Sequence, residues 1–205
     1  MGWGAGLVVL RRGIESEMKS HDVYPEPLLT TERLVLRRWR ESDLESFRKM
    51  NADPRVMEFM PKLLDSAESD ALVERIERHF DERGFGPMAV ELNESGAFVG
   101  FVGLYVPQFE ASFMPAVEIG WRLAAEHWGN GLATEAARET LRFGFEKVGL
   151  ESVVSFTVPA NVRSRSVMER IGMTFEGVFE HPHLPEGDPL RRHVLYRLTR
   201  EGWKT

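Results

Sequence analysis

The chain predicts an α/β fold of the α+β kind: a mixed, twisted sheet of about seven strands with helices on both faces. Three features carry that reading. The spacing of apolar residues switches between a period of two and a period near 3.6 so that elements follow in the order βααβββαβαββ. Residues 88–106 hold two alternating runs joined by Asn93-Glu-Ser-Gly96, which is an antiparallel hairpin. A strand over 116–123 passes through the glycine-broken loop His127-Trp-Gly-Asn-Gly131 straight into a long amphipathic helix, which sets that loop at the carboxyl end of a strand.

Taken in order, Thr31 to Arg40 alternates Leu34 and Leu36 and, after one slip, Trp39, a strand with one wet face. Ser42-Asp-Leu-Glu45 reads as a capping box that opens a helix to about Met50. Pro54 to Met60 is a short helical turn. Ser66 is read as the cap of a second helix, with Leu72, Ile76 and Phe80 on its inner face and Gly84 and Gly86 closing it. After the hairpin comes a loop, Pro107 to Pro115, rich in aromatic residues and methionine, then the strand that carries Glu118. In the long helix Leu132, Ala136, Ala137, Leu141, Phe145 and Val148 form one stripe, and Gly149 ends it. Strand 152–158, helix 162–171, strand 173–180 and strand 192–199 complete the order.

Composition narrows the function. A net charge of −6 argues against a general nucleic-acid surface, which needs a basic face, and is compatible with a cationic acceptor. With no cysteine, disulfides, thiolate metal sites and an acyl-cysteine intermediate are excluded. No apolar run reaches the roughly 20 residues of a membrane helix, and the order of charges around Trp3 to Leu10 is the reverse of a signal peptide's. A cytoplasmic location without membrane or nucleic-acid partners is therefore expected. Residues 1–27, ending at Pro25-Glu-Pro27, read as a loosely ordered extension with Met18 as an alternative start, and residues 28–205 as a single domain.

Glycines 129 and 131 allow positive φ and let a ligand approach bare backbone. The helix that follows presents unpaired N–H groups and the positive end of its dipole, which together cradle an anion. The pattern is neither the Walker loop nor the dinucleotide fingerprint. Further on, Pro159-Ala-Asn161-Val-Arg-Ser164 follows a strand and opens a helix, so Asn161 is an N-cap.

Trp128 to Ala133 resembles the Gln/Arg-x-x-Gly-x-Gly/Ala loop of the GNAT superfamily of acyl-CoA N-acyltransferases, and Trp-Gly-x-Gly-x-Ala-Thr-Glu-Ala is similar to its RimJ/RimL-like branch. The opening Thr-Glu-Arg-Leu-x-Leu-Arg and the Asn161 to Ser164 stretch resemble the same family. The resemblance covers roughly residues 31–200. It implies a sheet splayed between the fourth and fifth strands and acetyl-CoA as cosubstrate, without a metal. Gly129, Asn130, Gly131, Leu132, Ala133 and Thr134 would hold the pyrophosphate. Ile119, Gly120 and Trp121 would pair with the pantetheine amides, and Asn161 and Ser164 would lie along the pantetheine arm. Trp128 replaces the usual Gln or Arg, so the main chain would do the binding.

Many members place a tyrosine in the later helix to protonate the departing thiolate. Here Met168 stands there, and a thioether donates no proton. Ser164 is the preferred substitute, against its bland reading as an exposed serine. Glu118, in an apolar strand beside Gly120, where a bulge would open the sheet, is a candidate base with a raised pKa. On the other reading it lines the wet face. His181 and His183 are rival bases, His183 being the closer match to the position of an acidic base in RimL-like relatives. As zinc ligands they lack a third partner. The reading is a direct acetyl transfer from acetyl-CoA to a primary amine, of a protein N-terminus or a small molecule. The alternatives are a non-catalytic acyl-CoA-binding module and a nucleotide-binding protein. Exposed strand edges allow a homodimer.

Overall fold

A computed structural model describes residues 28–204; the extension expected over 1–27 lies outside the described residues. Eight strands form one sheet in the order β1-β2-β3-β4-β5-β6-β8-β7: β1 (Leu29–Thr30), β2 (Leu34–Arg37), β3 (Pro87–Leu92), β4 (Phe98–Tyr105), β5 (Glu118–Leu123), β6 (Ser152–Thr157), β7 (Thr174–Glu180) and β8 (Arg192–Thr199). Every neighbouring pair is antiparallel except β5 with β6. The strand beyond the expected seven is β1, a two-residue pairing of Leu29 and Thr30 with Leu36 and Val35.

Two helices, α1 (Leu44–Asn51) and α2 (Ser66–Arg83), lie over one face of β2 to β4. Phe47 of α1 meets Trp39 and Phe101, and His79 of α2 stacks on Tyr105 at 4.6 Å. Both helix starts differ in detail from the expectation. A 3₁₀ turn, Glu41–Asp43, precedes α1, and Asp43 closes its start: its Oδ2 accepts from the Arg40 N–H at 2.8 Å and its own N–H donates to Arg40 O at 3.0 Å. At α2 the cap is Asp65 rather than Ser66: its Oδ1 accepts from the Glu68 amide at 2.8 Å while Glu68 Oε2 accepts from the Asp65 amide at 3.1 Å. A carboxylate outcompetes the serine because the bond it accepts is charge-assisted.

The opposite face is covered by α3 (Leu132–Phe143), which continues as a π-turn over Gly144–Val148, and by α4 (Val162–Arg170). A Cβ on Gly144 would lie 3.0 Å from a Leu104 methyl, so this glycine is where α3 meets β4 at close range. The stripe read from sequence is the buried one: Leu132, Ala136, Ala137, Leu141 and Phe145 are all inside. Together with Leu34, Leu36, Val102, Ile119, Val153 and Met168 they make the main core. A second, smaller cluster of Ala116, Val154 and Leu195, joined by Phe113, Met114, Phe156 and Phe179, covers the far face of β6 to β8, where the 107–115 loop takes the place of a helix.

Candidate functional site: a glycine cradle and a parted sheet

Gly129 and Gly131 take φ of +80° and +78°, the left-handed region that glycine adopts without Cβ strain. A Cβ on Gly129 would touch nothing within 4 Å, so that stretch of main chain faces open space. The α3 ladder begins with the Glu135 N–H donating to Gly131 O at 3.0 Å. The six amides from Gly129 to Thr134 find no acceptor among the described residues. Converging donors of this kind, at the positive end of a twelve-residue helix, favour an anion.

A carboxylate holds the loop from behind. Glu135 accepts from Thr31 Oγ1 at 2.6 Å, from the Arg33 amide at 3.0 Å and from Arg33 Nε at 2.7 Å, while Arg33 Nη1 donates to Asn130 O at 2.9 Å. Partial burial pushes the Glu135 carboxyl up, but those hydrogen bonds outweigh it and hold it below its ordinary value. Thr31-Glu-Arg33 is thus tied to Glu135 a hundred residues on, and the tie fixes Asn130. Trp128 turns its indole N–H back to Leu123 O at 2.8 Å, so its ring braces the loop instead of reaching for a ligand.

Beside the loop the sheet parts. β5 and β6 meet at one register pair, Glu118 with Val154, and the Val154 N–H donates to Val117 O at 2.9 Å. Past that point they diverge. No bulge in β5 causes this, contrary to the sequence reading: β5 pairs with β4 in unbroken register from Leu123 to Glu118, and the irregularities lie in the pairing of β3 with β4, at Val99, and of β7 with β8, at Glu176. Separation comes from the strands' divergence beyond a short parallel contact.

On the face of β5 turned toward α1 and α2 stand Glu118, Gly120 and Arg122; Ile119, Trp121 and Leu123 point the other way. Glu118 is partly exposed and meets no hydrogen-bond donor among the described residues; desolvation pushes its pKa up to about 8. A Cβ on Gly120 would meet only Glu118 Oε1, at 3.9 Å, so the floor between Glu118 and Arg122 is open. Val154 and Phe156 of β6 share this face across the gap, and Phe156 packs with Phe109, Phe113 and Phe179.

The family model described as "Acetyltransferase (GNAT) domain" matches residues 33–174. The chain belongs to the GNAT acetyltransferases. Among its relatives is the FsC-acetyl coenzyme A-N(2)-transacetylase of Aspergillus fumigatus, 34% identical over 196 residues that cover 87% of this chain and 78% of that protein. A solved GNAT-family acetyltransferase from Bacillus anthracis superposes with a TM-score of 0.70 at 26% identity, covering 84% of this chain and 98% of its own. RimJ of Mycobacterium smegmatis, solved in complex with CoA-disulfide, shares the fold with a TM-score of 0.66 at 23% identity over 82% of each chain.

In this GNAT N-acetyltransferase the remaining candidates are dispersed. Asn161 caps α4, its Oδ1 accepting from the Ser164 amide at 3.2 Å while its Nδ2 donates to Thr157 Oγ1 at 3.1 Å. Ser164 lies in the first turn, partly buried, whereas Met168 is sealed in the core at 1% exposure. Tyr196 is buried with its hydroxyl on Glu169, and Tyr105 pairs across from Glu118 on the same face. His183 is exposed and has Phe109 and His181 as ring neighbours, a cluster past the end of β7 that packs on Phe156 through Phe109 and His181 and puts no histidine on β5 itself. Desolvation, and then the nearby His193 and His183, push His181 down to about 4. Among the described residues no group of three His, Cys, Asp or Glu is placed to hold a metal. No described helix is long and apolar enough to cross a membrane.

Four further residues at the site were not singled out in sequence. Arg33 and Glu135 were visible only as parts of motifs. Arg163 lies 4.5 Å over the Trp128 ring and pairs with Glu58 at 2.7 Å, joining the start of α4 to the loop after β5 and to the 52–64 segment. Nothing in local spacing predicts that bridge, because its partners come from three separate segments. Arg122 did carry a signal: it has the same parity as Glu118 in an otherwise apolar strand.

Proposed function

We propose that this N-acetyltransferase moves an acetyl group from acetyl-CoA directly to a primary amine. The observation that supports the reading is that six amides, Gly129 to Thr134, without acceptors among the described residues follow the end of β5, the strand that parts from β6 beyond Glu118. The amides suit a diphosphate and the unpaired edge of β5 at Ile119 to Trp121 suits a chain of amide groups, which is the chemistry of a pantetheine diphosphate. The name of the Aspergillus relative includes acetyl coenzyme A, and the RimJ crystal holds a CoA disulfide.

Acetyl-CoA supplies an activated thioester. Main-chain donors of β5 polarise the carbonyl in the manner of an oxyanion hole. Glu118 takes a proton from the ammonium form of the acceptor, whose nitrogen then bonds to the carbonyl carbon as the carbon–sulfur bond breaks. The second N–H proton, shed as the amide forms, passes through Ser164 or a water to the departing sulfur. Glu118 is favoured over His183 because it stands on β5 at the gap, with a proton affinity close to that of a base working near neutral pH.

Titration calorimetry with acetyl-CoA tests the cradle. Gly131→Asp places a negative side chain among the amides, on a residue whose φ is +78°, and is expected to abolish binding with the far-UV circular dichroism retained. Equal affinity for variant and wild type removes the cradle from the proposal. Release of free thiol in the presence of an amine panel tests the transfer itself.

A further inference from the structure

Arg122 is a cation without a counter-charge among the described residues. Its Nη1 donates to Asn51 Oδ1 at 2.7 Å, its Nη2 to Met60 Sδ at 3.3 Å, and the Phe101 ring lies 5.5 Å away. Asn51 is fully buried and is itself held, through Nδ2, to Ser69 Oγ at 3.1 Å. Neutral groups therefore fix the guanidinium in position, and no carboxylate among the described residues reaches it. Desolvation lowers its pKa to about 10, with no acidic neighbour to offset the effect. The charge persists at neutral pH.

A guanidinium has five N–H bonds in a planar fork, so the bonds to Asn51 and Met60 leave a donor edge that matches a carboxylate. Glu118 cannot serve as that partner. Four residues of strand separate the two positions by about 13 Å, and between them lies Gly120, whose missing side chain leaves the cleft floor open. The two charged groups that lack a counter-charge among the described residues thus stand at opposite ends of one open floor, on the face where Phe156 forms the wall across the gap. An amine at Glu118 and an anion at Arg122 complete both ends at once.

On the acetyl-transfer reading given above, we propose that Arg122 binds a carboxylate of the acceptor, so that the molecule acetylated is an amine that also carries a carboxylate. Diamines are disfavoured by the same residue, since their second cation would face the guanidinium.

The test uses glycine, β-alanine, 4-aminobutyrate, 6-aminohexanoate and phenylalanine, each against its own carboxamide, with the wild type, Arg122→Met and Arg122→Lys. In the wild type, kcat/KM for the best carboxylate is expected to exceed that of its amide by about tenfold or more, the scale of one charge-assisted hydrogen bond. That ratio falls to near one in Arg122→Met, mainly through KM, and is intermediate in Arg122→Lys, which keeps the charge and loses the fork. A wild-type ratio near one, or a ratio unchanged in Arg122→Met, overturns the proposal. Near-UV circular dichroism establishes that each variant is folded. Thermal-shift titration with the same compounds reads binding without turnover: carboxylates should raise Tm in the wild type, amides should not, and Arg122→Met should respond to neither. If no amine in any set releases thiol, the transfer reading fails, and the Arg122 site stands or falls on that titration alone.

Discussion

Two places on the sheet hold an arginine away from bulk water, Arg37 fully buried and Arg122 partly so, and they are wired in opposite ways. At the β2–β3 corner Arg37, 2% exposed, donates to both oxygens of Asp43 at 2.7 and 2.8 Å and to Glu91 at 2.7 Å. The Asp43 hydrogen bond, aided by Glu91, outweighs desolvation and raises its pKa further. On β5, Arg122 and Glu118 are each desolvated, each shifted toward neutrality, and held apart by an open glycine. A compensated charge cluster locks a corner. Uncompensated charges set along a cleft can be completed by something from outside, and this contrast separates scaffold from site more sharply than burial does.

The comparison can be broken in several ways, the largest first. Glu118→Gln should lower kcat by ~10²–10⁴-fold with the fold intact; a rate within a factor of two of wild type would move the base elsewhere, with His183 next. Arg37→Met leaves the buried Asp43 without its guanidinium, Glu91 keeping only Arg40, and should destabilise by about 3–5 kcal/mol, read by urea denaturation. Arg122→Met orphans only the Asn51 carbonyl oxygen and should destabilise by about 1–2 kcal/mol. Equal losses from the two arginines would erase the distinction. Arg163→Ala removes an exposed ion pair and a contact with Trp128, and should change stability by less than about 1 kcal/mol.

Acidity sharpens the same contrast. The folded-state pKa of Glu118 is raised, from 4.5 to about 8, so the folded protein binds a proton more tightly than the unfolded chain does. Its contribution to stability is therefore lost as pH climbs through that window, while kcat/KM rises toward pH 8 as the base ionises. Glu118→Gln should flatten both. His181 works in the other direction: its pKa falls from 6.5 to about 4, and stability declines as pH drops through that interval.

Much of the frame was legible because it rests on local pattern. The α3 stripe, the hairpin, the glycine loop and the last strand lie where period and turn chemistry put them. Glu118 was singled out as the one carboxylate in an apolar strand, and its raised pKa follows from the same isolation. Helix starts were less legible, since Asp43 and Asp65 beat nearby serines by a charge that residue spacing does not rank. The missed site residues are those whose partners are remote: Glu135 meets Thr31 and Arg33 across the whole domain, and Arg163 meets Trp128 and Glu58. Arg122 was hidden for the opposite reason, because an alternating strand makes a polar residue look solvated when helices in fact lie over that face. The opening between β5 and β6 was read correctly in place and wrongly in cause.

Sheets usually keep their unpaired edges at the margins, where another chain can add a strand and begin to aggregate. In this protein β5 and β6 carry two further edges into the interior, recessed beneath helices on one face and an aromatic loop on the other. On the proposed acetyl-transfer reading, the same kind of backbone that would invite fibril growth at a margin is placed here where a slender cosubstrate can pair with it.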